Sequence, residues 1–368
     1  MSVRIAVSCA LLLAAIPGQA EVPVGQPDEH LNELFQPHSG WIGGDGGVSA
    51  EIAPGHTVWL FSDTFVGEVR DGRRTNATMI NNTAAVMSGS GPAAQVEFFV
   101  RRNSDGEAEA LIVPEDGNGF FWIHAAAHAN KRLLLFLVQI EKHGEGAFGF
   151  REIGRWLGVV ENPLDPPVEW KIQQRKIPFT VVRPERVIGF GAATLIHDRF
   201  LYIYGVDEHR DPAAFQPGRF LIAARVPLAE AENFHAWTFL ADGRWQQDFR
   251  SATPMVGEVA SENSVSQIPG REQFVLVYSH RGMSKKIHVR TASDPGGPWS
   301  DPMVVYHCPE VNWDRRNFCY GAKAHESLFT RDELVLAYFT NSSDFWHVAG
   351  DARLYWPRFV RVPWSVIR

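Results

Sequence analysis

Two aspartates stand in the stretches of this sequence best suited to chemistry. Asp45 lies in Trp41-Ile-Gly-Gly-Asp45-Gly-Gly-Val-Ser49, where four glycines surround one carboxylate. Glycine on both sides lets the chain turn sharply and lets a ligand come close to the backbone. The stretch is not a phosphate loop, because no Gly-Lys-Ser/Thr follows it. Taken alone it also reads as a turn capped by its Asp. Asp63 ends Val58-Trp-Leu-Phe-Ser-Asp63-Thr-Phe65. With a period of two, Asp63 falls on the same face as Trp59 and Phe61. A carboxylate among aromatic rings costs several kcal/mol unless it is paired or put to use.

Eighteen residues separate the two acids, a spacing that suits adjacent strands joined by a Pro54-Gly55 turn. Both carboxyls would then face the same end of the fold. Two such groups are the minimum for glycoside hydrolysis, in which one protonates the leaving oxygen and the other activates water or attacks the anomeric carbon. Mutual repulsion would push their pKa values apart and so assign the acid and base roles. Candidate substrate contacts are Trp41, Asn81, Asn82, Glu262, Lys323 and His325, and all but Trp41 also read as hairpin caps or surface groups. His124-Ala-Ala-Ala-His128 lacks the Glu of a zinc protease helix and precedes a strand, so no metal ligand set is assigned. No nucleophile elbow is present, and no cofactor is implied.

The elements that must position these groups repeat. Five apolar phrases recur: His56–Asp63, Lys131–Leu137, Asp198–Tyr204, Glu272–Tyr278 and Asp332–Tyr338. Each is a short continuous apolar run, which suits a strand covered on both faces. A second phrase follows most copies, with a strand, a Pro-containing turn and then Trp170, Trp237, Trp299 or Trp364. Five copies of the first phrase, four of them followed by the second, predict four strands per unit, the blade of an all-β, five-bladed β-propeller. The competing architecture is a β-sandwich with similar strands. The strand-like C-terminus, Phe359-Val-Arg-Val-Pro363, is expected to close the ring with the N-terminal strand. Only the first phrase ends in a carboxylate, and a departure of this kind from a shared pattern is expected at a functional site.

Residues 1–20 read as a signal peptide: Arg4, an apolar run from Ile5 to Ile16 and a small-residue cleavage site at Ala20. The run is too short to span a membrane. Residues 21–368 are then expected to form a single secreted or periplasmic domain, most simply a monomer. Loss of Arg4 leaves 34 Lys+Arg against 42 Asp+Glu, a net charge of −8. That charge argues against nucleic acid or an anionic membrane as partner and favours a neutral polysaccharide or oligosaccharide. Cys308 and Cys319 would be free to pair in an oxidising compartment, but spacing leaves pairing open.

At Gly43-Gly-Asp-Gly-Gly-Val-Ser49, Val58-Trp-Leu-Phe-Ser-Asp-Thr-Phe65 and Ile80-Asn-Asn-Thr83 the sequence resembles the DUF4185 family, which includes the endo-D-arabinanases of glycoside hydrolase family 183. Looser similarity runs through Gly189–Ala193, Glu262–Val265 and Gly321–His325, and Ser62 replaces the usual Gly before the second Asp. The resemblance implies a five-bladed propeller with a paired-Asp site at Asp45 and Asp63, and D-arabinan as a possible substrate. Two other functions compete: a non-catalytic glycan-binding propeller, and a polysaccharide lyase using His325 and Lys323.

Overall fold

The computed structural model describes residues 24–367 apart from 147 and 215, so the expected signal peptide lies outside the described residues. Five antiparallel sheets follow one another along the chain and form a five-bladed β-propeller. Blade 1 contains Val48–Ala53, His56–Phe61, Thr83–Ser88 and Gln95–Phe99. Blade 2 contains Phe120–Ala129, Arg132–Lys142, Phe150–Val160 and Ile172–Lys176. Blade 3 is built on Arg186–His197, Phe200–His209, Gly218–Pro227 and Thr238–Ala241, with three short extra strands. Blade 4 contains Asn263–Gln267, Phe274–Ser279, Lys286–Ala292 and Met303–His307.

Blade 5 closes the ring. Its first three strands are Asn317–Ala324, Glu333–Ser342 and Arg358–Pro363. Its fourth is the N-terminal strand Gln26–Pro27, paired with Val360 and Arg361. Asp28 secures this closure, capping the helix Glu29–Leu34 through the Leu31 amide and accepting from Arg361 Nε at 2.6 Å.

All five repeated phrases supply the second strand of their blade. These strands lie between their own sheet neighbours and the adjoining blades, and almost every side chain in them is buried. That explains their unbroken apolar character. The Pro-and-Trp phrases follow the third strands. The cores lie between blades; Phe35, Trp59, Phe61, Val335 and Phe359, for example, fill the seam between blades 1 and 5.

The innermost strands surround a channel holding a cavity of about 380 Å³. Its wall includes Ser49, His124, Thr194, Ser264 and His325, one from each blade. This wall mixes polar and small apolar residues, so the innermost strands lack the unbroken apolar signature of the second strands. Cys308 and Cys319 are joined in a disulfide with Cα atoms 6.6 Å apart. It ties the chain just after the last strand of blade 4 to the first strand of blade 5.

Candidate active site

Asp45 and Asp63 occupy one end of the blade 1 hairpin. Asp45 lies three residues before the innermost strand, and Asp63 two residues after the second. Their backbones meet: the Asp45 amide donates to the Asp63 carbonyl at 3.1 Å, and the Ser62 amide donates to the Asp45 carbonyl at 2.8 Å. The glycine frame makes this junction possible. Gly46 and Gly47 adopt φ of +82° and +47°, and a Cβ on Gly47 would run into the Phe339 ring.

The side chains are then held from opposite sides. Asp45 Oδ2 accepts from the Tyr320 hydroxyl at 2.6 Å and the Tyr355 hydroxyl at 2.9 Å, both from blade 5. Asp63 Oδ1 accepts from Trp122 Nε1 at 2.9 Å and Asn81 Nδ2 at 3.2 Å. Trp122 belongs to the innermost strand of blade 2. Each carboxyl is thus tied by one oxygen, and each remains half-buried rather than sealed.

The expected shared face with Trp59 and Phe61 is not what forms. Trp59 and Phe61 enter the seam with blade 5, whereas the Asp63 carboxylate meets Trp122 of blade 2. The strand ends at Phe61, and the bend at residues 62–63 breaks the alternation.

The two acids share an electrostatic setting. Burial pushes Asp45 well above the usual carboxylate range, and the neighbouring charges of Asp63 and Glu262 push it further. Its two tyrosine hydrogen bonds oppose the rise. Burial raises Asp63 to about 6, against the opposing pull of Trp122 and Asn81. Glu262 is ion-paired with Lys323 at 2.7 Å. Lys323 also donates to the Gly46 carbonyl at 2.7 Å, so this pair braces the glycine frame. Burial and the nearby Asp45 raise the phenol pKa of Tyr320 and Tyr355 well above the ordinary value.

The remaining sequence candidates divide. Asn81, Glu262 and Lys323 sit at the acid pair or brace it. Trp41 does not reach a ligand: it is 1% exposed, donates to Thr83 Oγ1 and stacks on Phe98 at 4.5 Å. Asn82 is fully buried, and its amide clamps the Ile112 backbone and the Phe121 carbonyl. Its polarity serves a loop, as backbone groups away from water require. His325 is also enclosed. Its Nδ1 lies 2.8 Å from Ser49 Oγ in the channel wall, and burial holds its pKa down at about 3. His124 is in a strand rather than a helix and is held neutral by burial, with Arg155 and Lys323 nearby. The one cluster with the atoms to hold a metal, among the described residues, is Cys308, Glu310 and Cys319, and its sulfurs are already committed to the disulfide.

Sequence reasoning missed Trp122, Tyr320 and Tyr355. Tyr320 directly precedes the Gly321–His325 block, and its place in the innermost strand of blade 5 is a usable signal. Tyr355 follows a short helix and has no motif.

An aromatic rim surrounds the acids. Phe150 packs edge-on against Trp122 at 4.7 Å, and Phe148 from the same blade 2 hairpin reaches Phe318 of blade 5 at 6.0 Å. Phe318 in turn lies 5.5 Å from Tyr320.

A family model described as a domain of unknown function, DUF5005, matches residues 28–364. This overturns the resemblance to DUF4185. The blocks that carried the resemblance are three short segments around the acid pair, each joining two strands. A candidate hydrolase from Bacteroides ovatus has the same fold, with a TM-score of 0.72 at 18% identity, covering 92% of this chain and 90% of that one. More distant are the GH43_1 enzyme from Xanthomonas citri complexed with xylotriose (TM-score 0.48, 15% identity, 93% and 90% covered) and an alpha-L-arabinofuranosidase from Lactobacillus brevis (0.46, 12%, 87% and 90%). No curated protein matches the sequence.

Proposed function

Because the chain belongs to the DUF5005 family, whose description names no reaction, we propose from the acids themselves that it is a glycoside hydrolase acting on a polysaccharide or oligosaccharide. The observation that carries this reading is the Asp45–Asp63 pair: two raised carboxyls at one rim, each with one oxygen tied and the other without a hydrogen-bond partner among the described residues. Asp45, raised by burial and by the neighbouring charges of Asp63 and Glu262, is the acid that delivers a proton to the glycosidic oxygen. The bond from that oxygen to the anomeric carbon breaks, and the alcohol leaves. Asp63, ionised above about pH 6, takes the proton of an attacking water or attacks the anomeric carbon itself. Tyr320 and Tyr355 orient Asp45, while Trp122 and Asn81 orient Asp63. The aromatic rim supplies flat apolar faces for sugar rings.

The arabinan assignment rested on DUF4185 and is not carried forward. The export of the mature chain, read from residues 1–20, remains part of the proposal because it places the enzyme where polysaccharides are met. A pure binding propeller leaves unexplained why two carboxyls are kept raised side by side, at a cost to folding. The lyase reading loses its residues: His325 is sealed in the channel wall, and the charge of Lys323 is taken by Glu262. The test is release of reducing ends from a polysaccharide panel by wild type, Asp45→Asn and Asp63→Asn. Release by the wild type alone is expected. Undiminished release by either variant would overturn the assignment.

A further inference from the structure

The short helix Phe345–Gly350 lies between the second and third strands of blade 5, at the acid end of the fold. It presents Trp346 with 79% of its surface exposed, the highest exposure among the large hydrophobic residues described. Phe345 beside it is exposed as well, so the helix shows water a pair of aromatic rings rather than a single one, and Trp side chains are enriched at binding surfaces. Beside Trp346 is a depression of about 420 Å³ lined by Asp71, Gly72, Arg73, His347, Gly350 and Asp351. Asp71 and Arg73 are exposed, and neither forms an ion pair among the described residues.

This shelf is tied to the acid pair through packed rings, of which Phe65 and Tyr355 are buried. Trp346 lies 5.5 Å from Phe345, Phe345 lies 6.1 Å from Phe65, and Phe65 lies 5.4 Å from Tyr355, which donates to Asp45. The shelf is also held rigidly. Buried Arg74 donates to the carbonyls of Val348, Asp351 and Leu354 and, on the other side, to that of Ile42. One guanidinium thus fixes the helix to the strand Ser39–Gly44, which leads directly into Asp45.

A flat ring bordered by hydroxyl-binding groups is the chemistry that recognises a sugar: the ring covers the apolar face of the pyranose or furanose, and Asp71 and Arg73 meet its hydroxyls. We propose that Trp346, with Asp71 and Arg73, is a distal subsite for a sugar unit of a polymeric substrate, a few units from the bond cleaved at Asp45 and Asp63. The proposal rests on the glycoside hydrolase reading and adds that the substrate is an extended chain. Binding at the shelf raises affinity for polymers and leaves the chemical step untouched, since Trp346 contacts neither acid.

The test uses the full chain with Trp346→Ala and Trp346→Phe, both at an exposed position. Affinity electrophoresis through gels containing arabinan, xylan or β-1,3-galactan reports binding without requiring hydrolysis. At least one gel is expected to retard the wild type and the Asp45→Asn variant equally. Trp346→Ala is expected to weaken that retardation at least fivefold, and Trp346→Phe to restore most of it. On the retarding polymer, KM should rise at least fivefold in Trp346→Ala with kcat unchanged, while hydrolysis of a short aryl glycoside should not change. Retardation unaffected by Trp346→Ala, or no retardation of the wild type in any gel, would overturn the subsite. Trp346-dependent retardation without hydrolysis by the wild type would leave the subsite standing and overturn the hydrolase.

Discussion

At the scale of single residues, Asp63 makes a prediction about stability as well as catalysis. Burial raises it from the ordinary carboxylate value to about 6, so the folded protein holds its proton more tightly than the unfolded chain does. Its contribution to stability is therefore fully present below about pH 4 and is lost as pH rises through about 6. At pH 7 the ionised Asp63 costs the fold on the order of 1–3 kcal/mol. Asp63→Asn should consequently abolish hydrolysis and raise the melting temperature at pH 8, with a smaller gain at pH 4.5. Equal gains at both pH values in calorimetry would contradict the assigned cause. Activity should rise with pH through about 6 as Asp63 becomes ionised, and should fall again at higher pH as Asp45 loses its proton. The two acids were legible in the sequence because glycine framing and a broken repeat mark them locally. Their partners were not: Tyr320 and Tyr355 stand 275 and 310 positions from Asp45, and only ring closure brings them together. Trp41 and Asn82 misled for the opposite reason. They lie within the marked segments, but one fills a core and the other ties down a loop.

At the scale of elements, the second strands were readable and the first strands were not. A strand covered on both faces must be apolar throughout, so Arg132–Lys142 and Phe200–His209 stand out in the sequence. A strand lining a channel alternates polar and small residues, as His124, Ala126 and His128 do, and resembles a loop or a metal motif. The short helix Phe345–Gly350 gave no periodic signal, having only six residues. Arg74 decides where it sits. Arg74 is buried, packs over Phe65 at 4.7 Å and satisfies carbonyls on two separate segments. Arg74→Met keeps much of its bulk but strips those carbonyls of their donor, at a cost of about 2–4 kcal/mol. Urea unfolding should register that loss. Limited proteolysis should cut first within 345–354, and kcat should fall because Tyr355 is no longer held against Asp45. An unchanged digestion pattern would show that the helix is anchored by other contacts.

At the scale of the whole molecule, the ring is only as firm as its closing seam. The N-terminal segment does more than add an outer strand to blade 5. Phe35 at the end of the first helix is fully buried, with Trp59 at 4.8 Å, Phe359 at 5.0 Å, Phe98 at 6.0 Å and Phe61 at 6.4 Å. These rings come from blades 1 and 5, so a single side chain joins the first blade to the last. The same seam separates Asp45 from the two tyrosines that orient it. Phe35→Ala leaves a cavity there and should cost about 3–5 kcal/mol. Because the seam lies behind the acid pair, the loss should be functional before it is global. At temperatures where far-UV circular dichroism still reports intact sheets, the variant should already show a lower kcat and a loosened Tyr320–Asp45–Tyr355 contact, seen as faster exchange of amides in 352–356. A weaker seam in blades 2 to 4 would lower stability without that early loss of activity. Phe190→Ala, in the seam between blades 2 and 3, is therefore the control. If both variants lose activity only as the sheets melt, closure serves the fold alone and does not position the acids.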